Sequence, residues 1–155
     1  MKYNPHPYQV RAINHIIDHR YCALFLDMGL GKTVSTLTAI DELIQSLEVD
    51  KTLVIAPKSV ALNTWSSECE KWDHLSHLRL SIVMGTETKR KKALAADADI
   101  YVINRENVVW LVGQCGEEWP FNCVVIDESS SFKSHTSKRF KALLKVRPYT
   151  RRVIE

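Results

Sequence analysis

The chain alternates short, continuously apolar segments with longer segments whose apolar residues recur at helical spacing. The strands predicted from these segments cover residues 21–26, 52–56, 78–83, 100–103, 122–126 and 151–154. A strand with one face in water alternates apolar and polar residues, whereas continuous apolar runs are typical of parallel strands covered on both faces. The pattern therefore predicts an α/β fold, a three-layer sandwich with a mostly parallel central sheet and helices on both faces.

Size and composition narrow the class of protein further. The 155 residues predict a single domain over residues 1–155, and 45% hydrophobic with 25% charged residues excludes a disordered chain. No apolar run approaches the ~18 residues that a membrane span needs, and the first residues lack the apolar core of a secretory signal. We therefore expect an intracellular, cytoplasmic protein, whose four cysteines are buried, reduced thiols.

Helical spacing predicts which side chains face the sheet. A helix that begins at Pro7 and a helix that begins near Lys32 each carry an apolar stripe. A third helix, with Ser59 as its N-cap, follows the second strand. The predicted stripes are Val10, Ile13 and Ile17; Leu37, Ile40, Ile44 and Leu47; and Leu62, Trp65, Cys69 and Trp72. A basic helix over 89–96 and a helix over 137–146 complete the set.

A glycine-containing loop joins the first predicted strand to the next helix. Its residues 28–33, Met28-Gly-Leu-Gly-Lys-Thr33, place two glycines where the backbone N–H groups can converge on an anion at a helix N-terminus. Lys32 can reach the terminal phosphates, and the Thr33 hydroxyl can ligate magnesium. The loop departs from the full pattern G-x-x-x-x-G-K-[ST], because Leu26 stands where the first glycine belongs. We predict that Met28, Gly29, Leu30, Gly31, Lys32 and Thr33 bind phosphates.

Two carboxylates follow the fifth predicted strand, at the edge of a parallel sheet where ligands bind. Asp127 can hold the magnesium ion, and Glu128 can orient and deprotonate an attacking water. The alternative for this pair alone is a solvated acidic cap on a strand end. Together with the glycine loop, the pair predicts phosphoryl-transfer chemistry, with Lys32, Asp127 and Glu128 as the catalytic residues and Thr33 and Asp127 as the metal ligands.

Other polar residues follow the second and fourth strands and lie at the same predicted edge. Lys58, Ser59 and Asn104 can donate hydrogen bonds to DNA phosphates, although a helix N-cap and a solvated lysine are the alternatives. The basic run at residues 89–92 either contacts nucleic acid or forms a solvated helix face. A formal net charge of +3 permits binding to nucleic acid without requiring it.

These residues together resemble the first RecA-like domain of a superfamily-two helicase of the Swi/Snf-type DNA translocase branch. Residues 7–9 are similar to the Q motif, in which Gln9 would read adenine, and residues 28–33 are similar to that family's phosphate loop. Residues 55–59 resemble motif Ia, residues 104–106 motif Ib, and Asp127-Glu128 motif II. A serine, Ser130, stands where motif II usually has a histidine.

The resemblance implies a RecA-like P-loop NTPase fold, ATP and Mg²⁺ as cofactors, and double-stranded DNA as a partner. In that family a second RecA-like domain supplies arginine fingers, which are worth ~10³–10⁵ in rate. Because this sequence stops before motif III, we expect a fragment that binds nucleotide but hydrolyses it slowly. The alternatives are a small nucleotide kinase and a non-catalytic module that binds DNA or protein. The presence of all four predicted site residues argues against the non-catalytic module; they are Lys32, Thr33, Asp127 and Glu128.

Overall fold

The computed structural model describes residues 1–22, 31–127 and 138–154. Six strands are present in these residues: β1 Tyr21–Cys22, β2 Thr52–Ala56, β3 Leu80–Val83, β4 Ile100–Asn104, β5 Cys123–Ile126 and β6 Arg152–Ile154. Six α-helices connect them: α1 Pro7–Asp18, α2 Lys32–Gln45, α3 Lys58–Lys71, α4 Glu87–Ala95, α5 Val108–Cys115 and α6 Lys138–Val146. The described residues also include three short 3₁₀ turns, at Asp73–Leu75, Arg105–Asn107 and Arg147–Tyr149.

The six strands form one sheet in the order β1-β6-β5-β2-β4-β3, and every neighbouring pair is parallel. This arrangement confirms the predicted α/β class. At the centre of the sheet, Ile55 of β2 lies in register with Ile103 of β4 and Ile126 of β5. The carboxyl ends of these three strands therefore meet at one edge of the sheet.

Both faces of the sheet are covered, which explains why its central strands are mostly apolar. In β2, Val54 and Ala56 pack in the cluster that includes α1, α2 and α3, whereas Leu53 and Ile55 pack with α5 and α6. These alternate positions are all buried because successive side chains of a strand point to opposite faces. Full burial of an aliphatic side chain stabilises the fold by roughly 1.5–3 kcal/mol relative to leaving that side chain exposed. A polar substitution on either face of β2 is therefore expected to destabilise the fold.

The buried face of α1 differs from the predicted one. The prediction placed Val10, Ile13 and Ile17 inside, but Val10 is exposed and Ile17 only partly buried. The buried residues of α1 are Gln9, Ala12, Ile13 and Ile16. The buried face of α1 is therefore shifted by about one residue from the face that apolar periodicity predicts. The shift arises because the polar side chain of Gln9 packs inside, against the start of α2.

Two other predicted stripes and one predicted cap need correction. Leu47 lies beyond the end of α2 with a φ of 65°, and its side chain is 90% exposed. Leu62 of α3 is also exposed, whereas Trp65 and Cys69 are buried as predicted. The N-cap of α3 is Pro57 rather than Ser59, because the helix begins at Lys58, where the proline ends the extended segment.

The predicted strand bounds hold within two residues. β3 begins at Leu80 rather than at residue 78, because the Leu78 N–H donates to the Leu75 carbonyl and so closes a turn. The part of the first predicted strand after Cys22 lies outside the described residues.

Cys69 and Cys123 are buried and Cys115 is partly buried. Burial, together with nearby carboxylates, raises the pKa of Cys69 to about 12. In the part of the chain that the structure describes, no helix has the length and apolarity that a membrane span requires.

His74 is a partly buried histidine that links the first residues of the chain to α2. Its ring stacks on Tyr3, with 4.9 Å between centroids, and its Nε2 lies 2.8 Å from the Thr38 hydroxyl. Since that hydroxyl donates to the Val34 carbonyl, it must accept from His74, which fixes the neutral tautomer with the proton on Nε2. The Nδ1 atom is buried and has no hydrogen-bond partner among the described residues.

This environment predicts a specific dependence of stability on pH. Burial lowers the pKa of His74 below 6.5, against the opposing carboxylates of Asp41 and Asp73. The unfolded chain then takes up a proton at His74 before the folded chain does, so the free energy of unfolding decreases as the pH falls below about 6.5. We expect His74→Gln to make that decrease shallower in urea denaturation between pH 7 and 5. The exposed His15→Gln is the control, and equal pH dependence in both variants would contradict the assignment.

Candidate nucleotide site

The N-terminus of α2 lies at the carboxyl edge of the sheet, beside Asp127. Gly31 is the N-cap and has left-handed backbone angles, φ 75° and ψ 29°. The first bond of the helix runs from the Ser35 N–H to the Gly31 carbonyl, at 3.0 Å. The N–H groups of Lys32, Thr33 and Val34 therefore have no acceptor within the helix, and the helix dipole places positive charge beside them. These three groups suit a phosphate.

Gln9 lies directly against this helix start. A Cβ atom placed on Gly31 would be 1.9 Å from Gln9 Nε2, so the two residues touch only because position 31 is glycine. Gln9 is 6% exposed, and its Oε1 accepts a hydrogen bond from the His6 N–H at 2.9 Å. The structure thus brings the predicted adenine-reading residue to the end of the phosphate loop. Whether Gln9 contacts a base remains a prediction.

Lys32 and Asp127, which are far apart in sequence, meet beside this helix. Lys32 Nζ lies 3.7 Å from Asp127 Oδ1, with side chains 29% and 15% exposed. Asp127 follows β5, and its N–H donates to the Ile55 carbonyl of β2 at 2.8 Å, which fixes it at the carboxyl edge. At this separation the Lys32 ammonium group can bind a polyphosphate while the Asp127 carboxylate binds the metal ion that accompanies it.

The donor set fits a magnesium nucleotide. Thr33, the second residue of α2, and Asp127 supply the hydroxyl and carboxylate oxygens that Mg²⁺ prefers. The absence of a side chain at Gly31 is what lets Gln9 pack against the start of α2. The other predicted site residues, Met28, Gly29, Leu30, Glu128 and Ser130, lie outside the described residues.

The predicted DNA-contacting residues share the same edge but differ in their surroundings. Lys58 and Ser59 are exposed and begin α3, directly after β2. Asn104 ends β4, in register with Ala56, and is only 7% exposed. Its Nδ2 donates to Glu106 Oε2 at 2.9 Å and its Oδ1 accepts from Asn107 Nδ2 at 2.7 Å. Asn104 therefore uses one of its two amide N–H donors inside the protein, and its burial limits the access of DNA to the other.

The basic run at residues 89–92 divides into exposed and inward-facing residues. Lys89, Lys91 and Lys92 are exposed, as expected of a solvated helix face. Arg90 instead packs against α5: its guanidinium carbon lies 4.5 Å from the centre of the Trp110 ring, and its Nη1 donates to Asn107 Oδ1 at 2.6 Å. Sequence reasoning missed this role. The available signal was an arginine within a run of lysines, since a guanidinium stacks on aromatic rings and a lysine does so less well.

Comparison with known proteins places these features in context. A family model described as an SNF2-related domain matches residues 8–154. The putative protein p41 of Acyrthosiphon pisum secondary endosymbiont phage 1 is 39% identical over 150 residues, covering 93% of this chain and 33% of the relative. The ISWI chromatin-remodeling complex ATPase ISW1 of Saccharomyces cerevisiae is 28% identical over 142 residues, covering 84% of this chain and 12% of the relative.

A solved structure has the same fold. The SWI2/SNF2 ATPase core of Sulfolobus solfataricus, solved in complex with dsDNA, superposes with a TM-score of 0.84 at 28% identity. The match covers 99% of this chain and 32% of that one. The chain thus spans a third or less of the length of these three relatives.

Proposed function

Because this chain belongs to the SNF2-related domain family, we propose that it is the ATP-binding lobe of a DNA-dependent ATPase that moves along double-stranded DNA. A relative named as an ATPase and a similar core solved with dsDNA support this proposal. The proposed partners are duplex DNA and a second RecA-like domain.

The observation that carries the proposal is the approach of Lys32 to Asp127 at the N-terminus of α2. Lys32 and the free N–H groups of α2 bind the β- and γ-phosphates, which orients the nucleotide at the sheet edge. Thr33 and Asp127 hold the magnesium ion, which when bound neutralises charge on the phosphoryl group. Glu128 orients the attacking water and accepts its proton.

Gln9 supplies base recognition in this proposal. Its Oε1 already accepts from the His6 N–H, and a carboxamide oxygen has a second lone pair that can accept from the adenine amino group. The contact with Gly31 then links the base-reading residue to the phosphate-binding helix. Binding of the base at Gln9 would therefore affect binding of the phosphates at α2 through the contact between Gln9 and Gly31.

Nucleotide binding and turnover of the 155-residue chain test this proposal. We expect titrations with magnesium to show a preference for ADP over AMP, because most contacts are to the terminal phosphates, and for ADP over GDP. Hydrolysis of ATP should stay below about 1 s⁻¹ with or without duplex DNA, because the arginine fingers of a second domain are worth ~10³–10⁵ in rate. Phosphate transfer to a small acceptor without DNA would indicate a nucleotide kinase instead, and a chain that binds no nucleotide would be a non-catalytic module.

A further inference from the structure

A chain of hydrogen bonds runs from α4 to the carboxyl end of β4. Arg90 Nη1 donates to Asn107 Oδ1 at 2.6 Å, and Asn107 Nδ2 donates to Asn104 Oδ1 at 2.7 Å. Asn104 Nδ2 then donates to Glu106 Oε2 at 2.9 Å. The four side chains join a helix on one face of the sheet to the edge at which DNA is proposed to bind.

The chemistry of the two ends allows only one direction for this chain. A guanidinium group can only donate and a carboxylate can only accept, so each amide between them must turn its oxygen towards Arg90 and its nitrogen towards Glu106. Removal of Arg90 leaves the Asn107 amide held from one side only, by its bond to Asn104, so the restraint on both amides is weaker. The conformation of residues 104–107 thus depends on a residue in α4.

Arg90 is held in place from several sides. Its guanidinium stacks on Trp110 of α5, and Trp110 Nε1 donates to Glu87 Oε1 in the first turn of α4 at 3.4 Å. The Arg90 Nε atom is buried and has no hydrogen-bond partner among residues 1–22, 31–127 and 138–154. A cation this desolvated makes stronger hydrogen bonds than an exposed one, so its bond to Asn107 matters more than a surface contact of the same length.

The acceptor at the end of the chain explains why the orientation matters. Glu106 is 48% exposed at the proposed DNA-binding edge, and its Oε1 lies 3.6 Å from Arg105 Nε. Burial raises the pKa of Glu106, but hydrogen bonds from its own backbone N–H and Asn104, with the charges of Arg139 and Arg105, outweigh it and leave the pKa below its ordinary value. The side chain is therefore ionised, and the hydrogen bond from Asn104 fixes where this negative charge lies relative to phosphates at the edge.

On the basis of the proposed function, we propose that Arg90 is a positioning residue for DNA binding, which acts through Asn107 and Asn104 to hold residues 104–107 and to keep Glu106 paired. Arg90 itself touches no phosphate in this account. The role of Asn104 is then to orient Glu106 rather than to contact DNA.

Duplex-DNA affinity, measured by fluorescence anisotropy on the 155-residue chain, tests the proposal. We expect Arg90→Ala to weaken binding roughly tenfold, the factor that corresponds to losing one hydrogen bond from a charged group, while MgADP affinity stays unchanged. Asn107→Ala should weaken DNA binding similarly. The double variant should bind DNA no more weakly than the single variant with the lower affinity, because both changes break the same hydrogen-bond chain. Additive losses, or no loss in Arg90→Ala, would overturn the proposal.

Salt dependence separates positioning from direct contact. Lys92→Ala removes the same charge from the exposed face of α4 and is the matched control. If Arg90 only positions, the slope of log affinity against log salt stays at the wild-type value in Arg90→Ala, and Lys92→Ala binds as the wild type does. If α4 contacts phosphates directly, each substitution lowers the slope by roughly one, and the proposal is wrong.

Hydrogen exchange distinguishes failure of this proposal from failure of the proposed function. We expect Arg90→Ala, but not Lys92→Ala, to speed exchange of the amides of residues 104–108. If Arg90→Ala speeds this exchange but the wild-type chain binds no DNA, the proposed DNA partner is wrong and the positioning role with it, although the hydrogen-bond chain stands. DNA binding by the wild type with unchanged exchange and affinity in Arg90→Ala would overturn the positioning role alone.

Discussion

Replacing Gly31 with alanine is expected to lower ADP affinity by more than tenfold and to destabilise the fold by about 2 kcal/mol. Two separate effects act at this position. The backbone has a φ of 75°, where an L-residue with a side chain is strained. The added methyl group would also lie 1.9 Å from Gln9 Nε2, and Gln9 can move only by breaking its bond to the His6 N–H. Calorimetric titration and urea denaturation measure the two effects.

Gly113→Ala is the matched control for that substitution. Gly113 lies within α5, and a Cβ atom there meets nothing within 4 Å. Since glycine in a helix interior costs roughly 0.5–1 kcal/mol relative to alanine, this change should stabilise the fold and leave ADP affinity unaltered. If Gly31→Ala also left ADP affinity unaltered, the contact between α1 and the phosphate-binding helix would have no part in nucleotide binding.

Asp127→Asn should remove the dependence of nucleotide binding on magnesium. The amide has the shape of the carboxylate but lacks the charge that holds the cation. The backbone bond to Ile55 does not involve the side chain, so the position of residue 127 is retained. Without magnesium, ADP should bind the variant at least as tightly as the wild type, because the repulsion between the carboxylate and the phosphates is lost.

The exposed Asp50→Asn tests whether a general loss of negative charge explains such a result, and it should leave the magnesium dependence intact. Titrations of ADP with magnesium or with a chelator give both quantities. A variant at Asp127 that kept the wild-type response to magnesium would show that the metal ion is held elsewhere.

The central strands could be predicted from sequence because burial on both faces leaves a clear pattern. Residues 52–56 are continuously apolar, and the structure confirms β2 over the same residues, with every side chain buried. Strand ends were less certain, since Leu78 is as apolar as the residues of β3 but closes a turn. The local pattern of apolar residues in the sequence does not show which of them belong to a strand and which belong to the turn next to it.

Sequence also predicted which residues lie at the sheet edge, but not their partners. The positions of Lys32 and Asp127 follow from their placement after β1 and β5 in a parallel sheet, where the carboxyl ends of the strands meet. The burial of Gln9 against Gly31 and of Arg90 against Trp110 depends on contacts between distant segments. Helical periodicity counts apolar residues, so a buried polar side chain such as Gln9 shifts the observed face of α1 without leaving a signal.

The most direct test of the account is a calorimetric titration of MgADP into the wild type, Lys32→Ala and Lys92→Ala. Lys92 is exposed on α4, and its substitution removes the same charge. The account predicts that Lys32→Ala binds roughly 10–100-fold more weakly than the wild type, as expected for the loss of one charge-assisted hydrogen bond, and that Lys92→Ala binds equally well. Equal affinity in all three proteins would contradict a phosphate site formed by Lys32, Asp127 and the N-terminus of α2.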